Sequence, residues 1–303
     1  MNLQDMFYSQ TYIFIYLYQI NNKKNRMRKL LIFSILYGIS SFTTQAKTSK
    51  LVLASPNAQL VIESTITPDG KPVYTVKNNN QTVLLQSALG LISDLGDFSR
   101  NVKITKITAP KQVTETYTSP AEKRAVRTYT ANYASITLKN IAGKTLNIEF
   151  KATNDGVAFR YLQTSKTPIA VKAEQTSFKF APTSRAWLHP HADAETGWCQ
   201  TQPSYEEQYE YDMSVGTAAP MKAGWSFPAL FKTGDNWVLL TEAGLTPDYV
   251  GTRLTQQSAG GEYTIGFPQK GEMMKDDDPN YVISANVTSP WRVIVVGSLA
   301  TVV

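Results

Sequence analysis

The sequence predicts an all-β protein, with antiparallel strands packed as a large β-sandwich. Three observations carry that expectation. After residue 47, apolar and polar residues alternate every second position through most of the chain. Clusters of Asn, Asp, Gly and Pro interrupt the alternation at short intervals. No stretch shows the three-and-four spacing of a long amphipathic helix. Period-two patterning with frequent turn signals marks half-buried strands of antiparallel sheets.

The beginning of the chain is read separately. Residues 27–46, "MRKLLIFSILYGISSFTTQA", start with Arg28 and Lys29, continue with an apolar run from Leu30 to Ile39, and end on small residues with Thr44 and Ala46 spaced for cleavage. That is the plan of a secretory signal peptide, and the run is too short to span a bilayer. Residues 1–26 then read as a leader ahead of the natural start. A membrane anchor built from "YIFIYLY" and the second run is the competing interpretation, but the basic cluster from Lys23 to Lys29 divides the two. Without residues 1–46 the chain keeps 25 basic and 23 acidic residues, a net charge of +2 rather than +6. No basic stripe is left to suit nucleic acid. The single cysteine, Cys199, excludes an internal disulfide framework. Export without disulfides points to a bacterial periplasm, with no stable membrane anchor.

Residues 47–303 read as one sandwich domain. "TPDGKP" (67–72), "KNNNQ" (77–81), "NIAGKT" (140–145) and "KTGDNW" (232–237) are the clearest turns. "YASITLKN" sets Tyr133, Ser135 and Thr137 against Ala134, Ile136 and Leu138, and "TLNIEFKA" turns Leu146, Ile148 and Phe150 inward. "YVISANV" places Tyr281, Ile283, Ala285 and Val287 on one face, and "WRVIVVG" does the same with Trp291, Val293 and Val295. The best helix candidate is a weak one near Ser87 to Leu95. The chain ends on "PWRVIVVGSLATVV", a strand pattern with no closing polar tail, so continuation into another domain is expected.

Candidate chemistry is sparse. His189 and His191, in "WLHPHADAETGWC", share one face of an extended segment, with Pro190 stiffening the pair in a loop. Two histidines without a third ligand are more often structural than metal-binding. Cys199 has no zinc-ligand spacing, and no nucleophile elbow or phosphate-binding glycine pattern occurs. "KDDDPN" (275–280) reads as a solvated acidic turn. The remaining concentration of chemistry is "PSYEEQYEY" (203–211). On a strand, Glu206, Gln208 and Glu210 would share one face, and Tyr205, Glu207, Tyr209 and Tyr211 the other. Such a stretch is either a charged edge strand or part of a sugar site, where rings act as platforms and acids as ligands.

Several stretches, taken together, resemble the N-terminal domain of glycoside hydrolase family 97. They are "LVLASPNAQLVIE", "GKPVYTVKNNNQTVLLQSALGL" (70–91), "NDGVAFRY" (154–161), "PSYEEQYEY" and "GWSFPALFKTGDNWVLLTEAGL" (224–245). The likeness covers nearly all of residues 50–303. It implies a galactose mutarotase-like β-super-sandwich that precedes a (β/α)8 catalytic barrel in exported α-glucosidases and α-galactosidases. It also implies an active-site calcium ion, one of whose ligands is a glutamate lent by the sandwich. Glu206 is the best match for that ligand and Glu207 the second. Tyr205 and Tyr209 would then line the sugar site or the domain seam. The expected partners are an α-linked glucoside or galactoside and the catalytic barrel. No β/α alternation occurs in this chain, so the catalytic acids are expected to lie in the barrel and the chain alone is expected to be inactive. The alternatives are a free-standing carbohydrate-binding sandwich and an exported structural β-domain.

Overall fold

The computed structural model describes residues 50–119, 125–194, 207–269, 271–272, 281–283 and 285–302, without the side chains of 281–283. These residues lie in one compact unit, Ser49–Val303. They form 22 strands, a 3-10 turn at Ala259–Gly261 and a short helix at Leu299–Val302.

The first four strands, Lys50–Ala54, Leu60–Ile66, Pro72–Asn78 and Gln81–Ala88, make an up-and-down sheet. Their order follows from tight turns. Asn78 and Gln81 are register partners, and the two residues between them, Asn79 and Asn80, have φ of 48° and 65°. Left-handed backbone at both positions suits the twist of a two-residue hairpin, and asparagine tolerates it.

The large sheet has 14 strands. Its spine runs through Trp225–Thr233, Asn236–Ala243, Trp291–Gly297, Gly156–Thr164, Thr145–Ala152 and Val126–Lys139, each hydrogen-bonded to the next and antiparallel. The expected alternation holds here. Ala134, Ile136, Leu138, Leu146, Ile148 and Phe150 are all buried. A third sheet of four short strands joins Tyr281–Ile283, Ile169–Glu174, Leu91–Ser93 and Gly96–Asp97.

Aromatic packing shows how the layers meet. Tyr74, from the first sheet, lies 5.0 Å between ring centroids from Phe159 of the large sheet. Its hydroxyl donates to the Ser177 carbonyl at 2.8 Å. A second cluster stacks Phe180 on Phe231 at 4.1 Å, with Tyr263 edge-on to Phe231 at 4.9 Å. Each fully buried ring of this size is worth about 1.5–3 kcal/mol, so these residues set which face of each strand turns inward.

Local expectations fail at five places. Ser87 to Leu95 is two strand segments, not a helix, divided by Gly90 at φ +151°. A Cβ on Gly90 would lie 2.6 Å from the Ser99 Cα, so that backbone approach needs glycine. "YVISANV" is split: Tyr281–Ile283 pairs with Ile169–Glu174, whereas Asn286–Thr288 pairs with the end of Gly156–Thr164. In "WRVIVVG" the buried face is Arg292, Ile294 and Val296, not the face of Trp291. His189 and Pro190 close a strand, Arg185–Pro190, rather than sitting in a loop. In "PSYEEQYEY", residues 207–209 precede a strand that starts at Glu210, and 203–206 lie outside the described residues.

Candidate functional site

The large sheet has a cleft of about 400 Å³ at one end, lined by His189, His191, Tyr209, Ser226, Phe227, Glu242 and Thr252. This is within the range of small-molecule sites, about 300–1,000 Å³. Strand pairing builds it. His189 is the register partner of Ser226, so the ends of Arg185–Pro190 and Trp225–Thr233 bring the histidines beside Ser226 and Phe227. Asn236–Ala243, next in the sheet, carries Glu242. Thr252 enters just ahead of the strand Arg253–Leu254.

Both histidines line the cleft, and each is held by protein groups. Nε2 of His189 accepts the backbone N–H of Glu207 at 3.2 Å. That nitrogen therefore carries no proton in this arrangement. The Tyr209 ring stands edge-on to His189 at 4.9 Å and is partly exposed. His191 lies between Ser226, with Nδ1 to Oγ at 2.9 Å, and Glu272, with Nε2 to Oε1 at 2.5 Å. Glu272 also accepts from the Gln269 backbone N–H at 2.7 Å and its side-chain amide at 3.0 Å. Burial pushes the Glu272 carboxyl up. The hydrogen bonds from His191 and Gln269, with the charge of Arg253, outweigh that and hold it below the usual glutamate value.

Behind the cleft lies a buried ionic cluster. Arg292, fully buried, donates from Nε and Nη2 to the two oxygens of Glu174 at 2.8 and 2.6 Å. Its Nη1 reaches Glu242 Oε2 at 2.6 Å and Thr252 Oγ1 at 3.0 Å. Thr252 ties itself to the same carboxylate through its N–H, 3.1 Å to Oε1, and its hydroxyl, 2.9 Å to Oε2. The Tyr249 hydroxyl donates to Glu174 at 3.1 Å, and burial keeps that phenol well above its ordinary pKa, hence protonated. Desolvation works against the Arg292 charge, but Glu174 and its hydrogen bonds hold the guanidinium above its usual value. One guanidinium thus faces two carboxylates, of which Glu242 reaches the cleft.

Of the residues singled out in the sequence, Tyr209 lines the cleft and Glu207 is anchored to it through its backbone. Tyr205, Glu206, Cys199 and the acidic turn 275–280 lie outside the described residues. Ser226, Phe227, Glu242, Thr252, Glu272 and Arg292 had not been singled out. Ser226, Phe227 and Glu242 fall within the stretch 224–245 already quoted for its resemblance, and that was the one signal available for them. Among the described residues, no group of three or more His, Cys, Asp and Glu is placed to hold a metal ion. No described helix is long and apolar enough to cross a membrane.

Fold and cleft together define an antiparallel sandwich domain with a polar, aromatic-edged cleft at one end of its large sheet. The chain belongs to the family described as glycosyl-hydrolase 97 N-terminal, whose model matches residues 53–303. A probable retaining alpha-galactosidase of Streptomyces bingchenggensis is 25% identical over 250 residues, 82% of this chain and 35% of that protein. A retaining alpha-galactosidase of Bacteroides thetaiotaomicron is 25% identical over 286 residues, 88% of this chain and 41% of that protein. Among solved structures, a beta-arabinopyranosidase superposes with a TM-score of 0.73 at 33% identity, over 82% of this chain and 40% of that one. A glycoside hydrolase family 97 enzyme from Pseudoalteromonas sp. strain K8, in complex with acarbose, gives 0.63 at 22% identity, over 82% and 35%, and supports the fold alone. The chain spans 35% and 41% of the lengths of the curated relatives it matches.

Proposed function

We propose that this chain is the N-terminal sandwich of an exported, periplasmic glycosidase and supplies one wall of its sugar cleft. The observation that carries the proposal is the lining of the cleft. Two rings, Tyr209 and Phe227, stand beside the hydrogen-bonding side chains of His189, His191, Ser226, Glu242 and Thr252. A pyranose needs that combination, since it has apolar C–H faces and a rim of hydroxyls. Tyr209, with Tyr205, is proposed to contact the sugar.

In this reading the substrate is an α-glucoside or α-galactoside, with support leaning to the galactose configuration. Both curated relatives are named as alpha-galactosidases, and the structure at 33% identity is a beta-arabinopyranosidase. A β-L-arabinopyranoside presents the same ring hydroxyl arrangement as an α-D-galactoside, without the hydroxymethyl group. The catalytic carboxylates are proposed to belong to a (β/α)8 barrel that pairs with the sandwich.

Calcium fits this reading only as a shared ion. It takes about 6–8 oxygen ligands. The cleft carboxylate Glu242 gives three of its accepting positions to Arg292 and Thr252, which leaves at most one for an ion. On the family resemblance, Glu206 is proposed as a single donated ligand, with Glu207 as second choice, and the rest of the shell as the barrel's. When bound, calcium would supply positive charge at the reacting centre. What this chain does is hold Glu207 on His189 and set the cleft wall.

The test is an assay of the purified chain against nitrophenyl α-galactoside, α-glucoside and β-arabinopyranoside. No turnover and weak calcium binding by calorimetry are expected. Clear turnover, or tight calcium binding, overturns the proposal. The partly exposed ring of Tyr209 also suits a sandwich that binds sugar without any catalytic partner. Strong glycan binding by the chain alone, unchanged on adding the barrel, would favour that second reading.

A further inference from the structure

We infer that Oε1 of Glu242 is the acceptor in this cleft for a hydroxyl of the bound sugar, with Arg292 and Thr252 as the residues that position it. The inference rests on the reading of the cleft as a sugar site and assigns the residue that recognises the ligand's hydroxyls.

The argument is a count of hydrogen-bonding capacity. Each carboxylate oxygen can accept about two hydrogen bonds. Oε2 of Glu242 already accepts from Arg292 Nη1 and Thr252 Oγ1. Among the described residues Oε1 accepts from the Thr252 N–H alone, at 3.1 Å, which leaves one of its two positions without a described donor. Glu242 is the one carboxylate among the seven lining residues, and several of the other polar groups are tied to protein partners. Both ring nitrogens of His191 are in hydrogen bonds, and Ser226 Oγ is shared with His191. Nε2 of His189 accepts from Glu207. The Thr252 hydroxyl donates to Glu242 and accepts from Arg292. Glu242 is only 17% exposed, and Arg292 not at all, so the geometry of this acceptor is set before any ligand arrives.

Gly251 is the backbone position that lies beside Oε1. A Cβ built on Gly251 would lie 3.5 Å from Glu242 Oε1 and 3.8 Å from Leu245 Cδ2, ordinary contact distances. Gly251 is not among the residues of positive φ. Alanine therefore fits there, and its methyl group would stand in contact with Oε1.

Amide NMR of the protein, titrated with methyl α-D-galactopyranoside and methyl β-L-arabinopyranoside, tests this. The Thr252 N–H shares Oε1 with the incoming hydroxyl, so its resonance should shift saturably with sugar. Gly251→Ala, with its dispersed spectrum retained, should weaken binding about tenfold or more, as expected for losing a hydrogen bond to a charged acceptor. Glu242→Gln should weaken it similarly. If sugar shifts the Tyr209 region saturably while Thr252 stays still and Gly251→Ala binds as tightly as the parent, the Glu242 assignment is wrong and the sugar cleft stands. If no cleft resonance shifts saturably with either sugar, the sugar reading itself fails and takes this inference with it.

Discussion

Trp291 and Arg292 are neighbours on one strand, yet their side chains meet charge on opposite faces of the large sheet and in opposite ways. On the outer face, the Trp291 ring lies 4.7 Å from Lys151 Nζ and 4.4 Å from Arg160 Cζ. Those cations pair with Glu115 and Glu149, each at 2.7 Å, and all four side chains keep between 14% and 47% exposure. On the inner face, Arg292 and Glu174 have none. The chemistry is the same and the solvent is not. An exposed ion pair contributes about 0–1 kcal/mol, whereas removing one partner of a buried pair costs about 3–5 kcal/mol. The outer lattice is a solvated surface. The inner cluster is a structural commitment, and its uneven charge, two carboxylates to one guanidinium, is directed through Glu242 to the cleft.

The largest expected effect tests that difference directly. Arg292→Met should destabilise the protein by about 3–5 kcal/mol in urea unfolding, because Glu174 and Glu242 would be left buried without their cation. Arg160→Met, on the outer face of the neighbouring strand, should cost about 1 kcal/mol or less. Equal losses from the two variants would mean that burial does not separate the two lattices.

Glu272 sharpens the comparison, since it combines burial with the edge of the cleft. Glu272→Gln should cost about 1–3 kcal/mol, the range for disrupting buried hydrogen bonds to a charged group. Its folded pKa lies below the reference glutamate value of 4.5. Its stabilisation is therefore complete above the unfolded pKa and disappears as pH falls through the lower folded one. Thermal unfolding followed from pH 6 to pH 3 should show a shallower acid loss in the variant than in the parent. Parallel curves would remove Glu272 from the acid response.

These residues also show where the sequence stops being legible. Strand existence and parity were readable wherever one face was polar, as in "TLNIEFKA", because only one assignment of faces buries the apolar set. "WRVIVVG" is apolar on both faces, so parity was undetermined, and the one charged residue pointed the wrong way. Arginine is rarely buried unless paired, and its partner Glu174 lies 118 residues away along the chain. The cleft was illegible for a related reason. Its lining is drawn from the ends of separate strands between His189 and Thr252, joined by register rather than by spacing. Tyr209 was found because it sits in a locally unusual stretch. Glu242 sits in an ordinary strand, and only the resemblance drew attention to its surroundings. The Ser87 to Leu95 helix failed because a glycine required for close backbone contact interrupts the segment.

The smallest effect belongs to the hairpin formed by Lys111–Thr118 and the first part of Val126–Lys139, where the outer lattice ends. Both faces of this ribbon are largely exposed, and one is a ladder of threonines, with Thr114 opposite Thr130 and Thr116 opposite Thr128. On the other face Glu115 takes Lys151 at 2.7 Å and the Tyr129 hydroxyl. The hydrogen bond from Lys151, then that from Tyr129, holds its carboxyl below the usual glutamate range. The sign matches that of Glu272: stabilisation is present above the unfolded pKa and lost as pH falls through the folded one. Its size differs, because Glu115 is 47% exposed and water screens the pair. Glu115→Gln should cost less than about 1 kcal/mol, and the difference from the parent should vanish in ~1 M salt, where the screening length falls to about 3 Å. A loss as large as that of Arg292→Met, or one unaffected by salt, would show that the ribbon is packed rather than solvated, and the two faces of the sheet would no longer divide as argued.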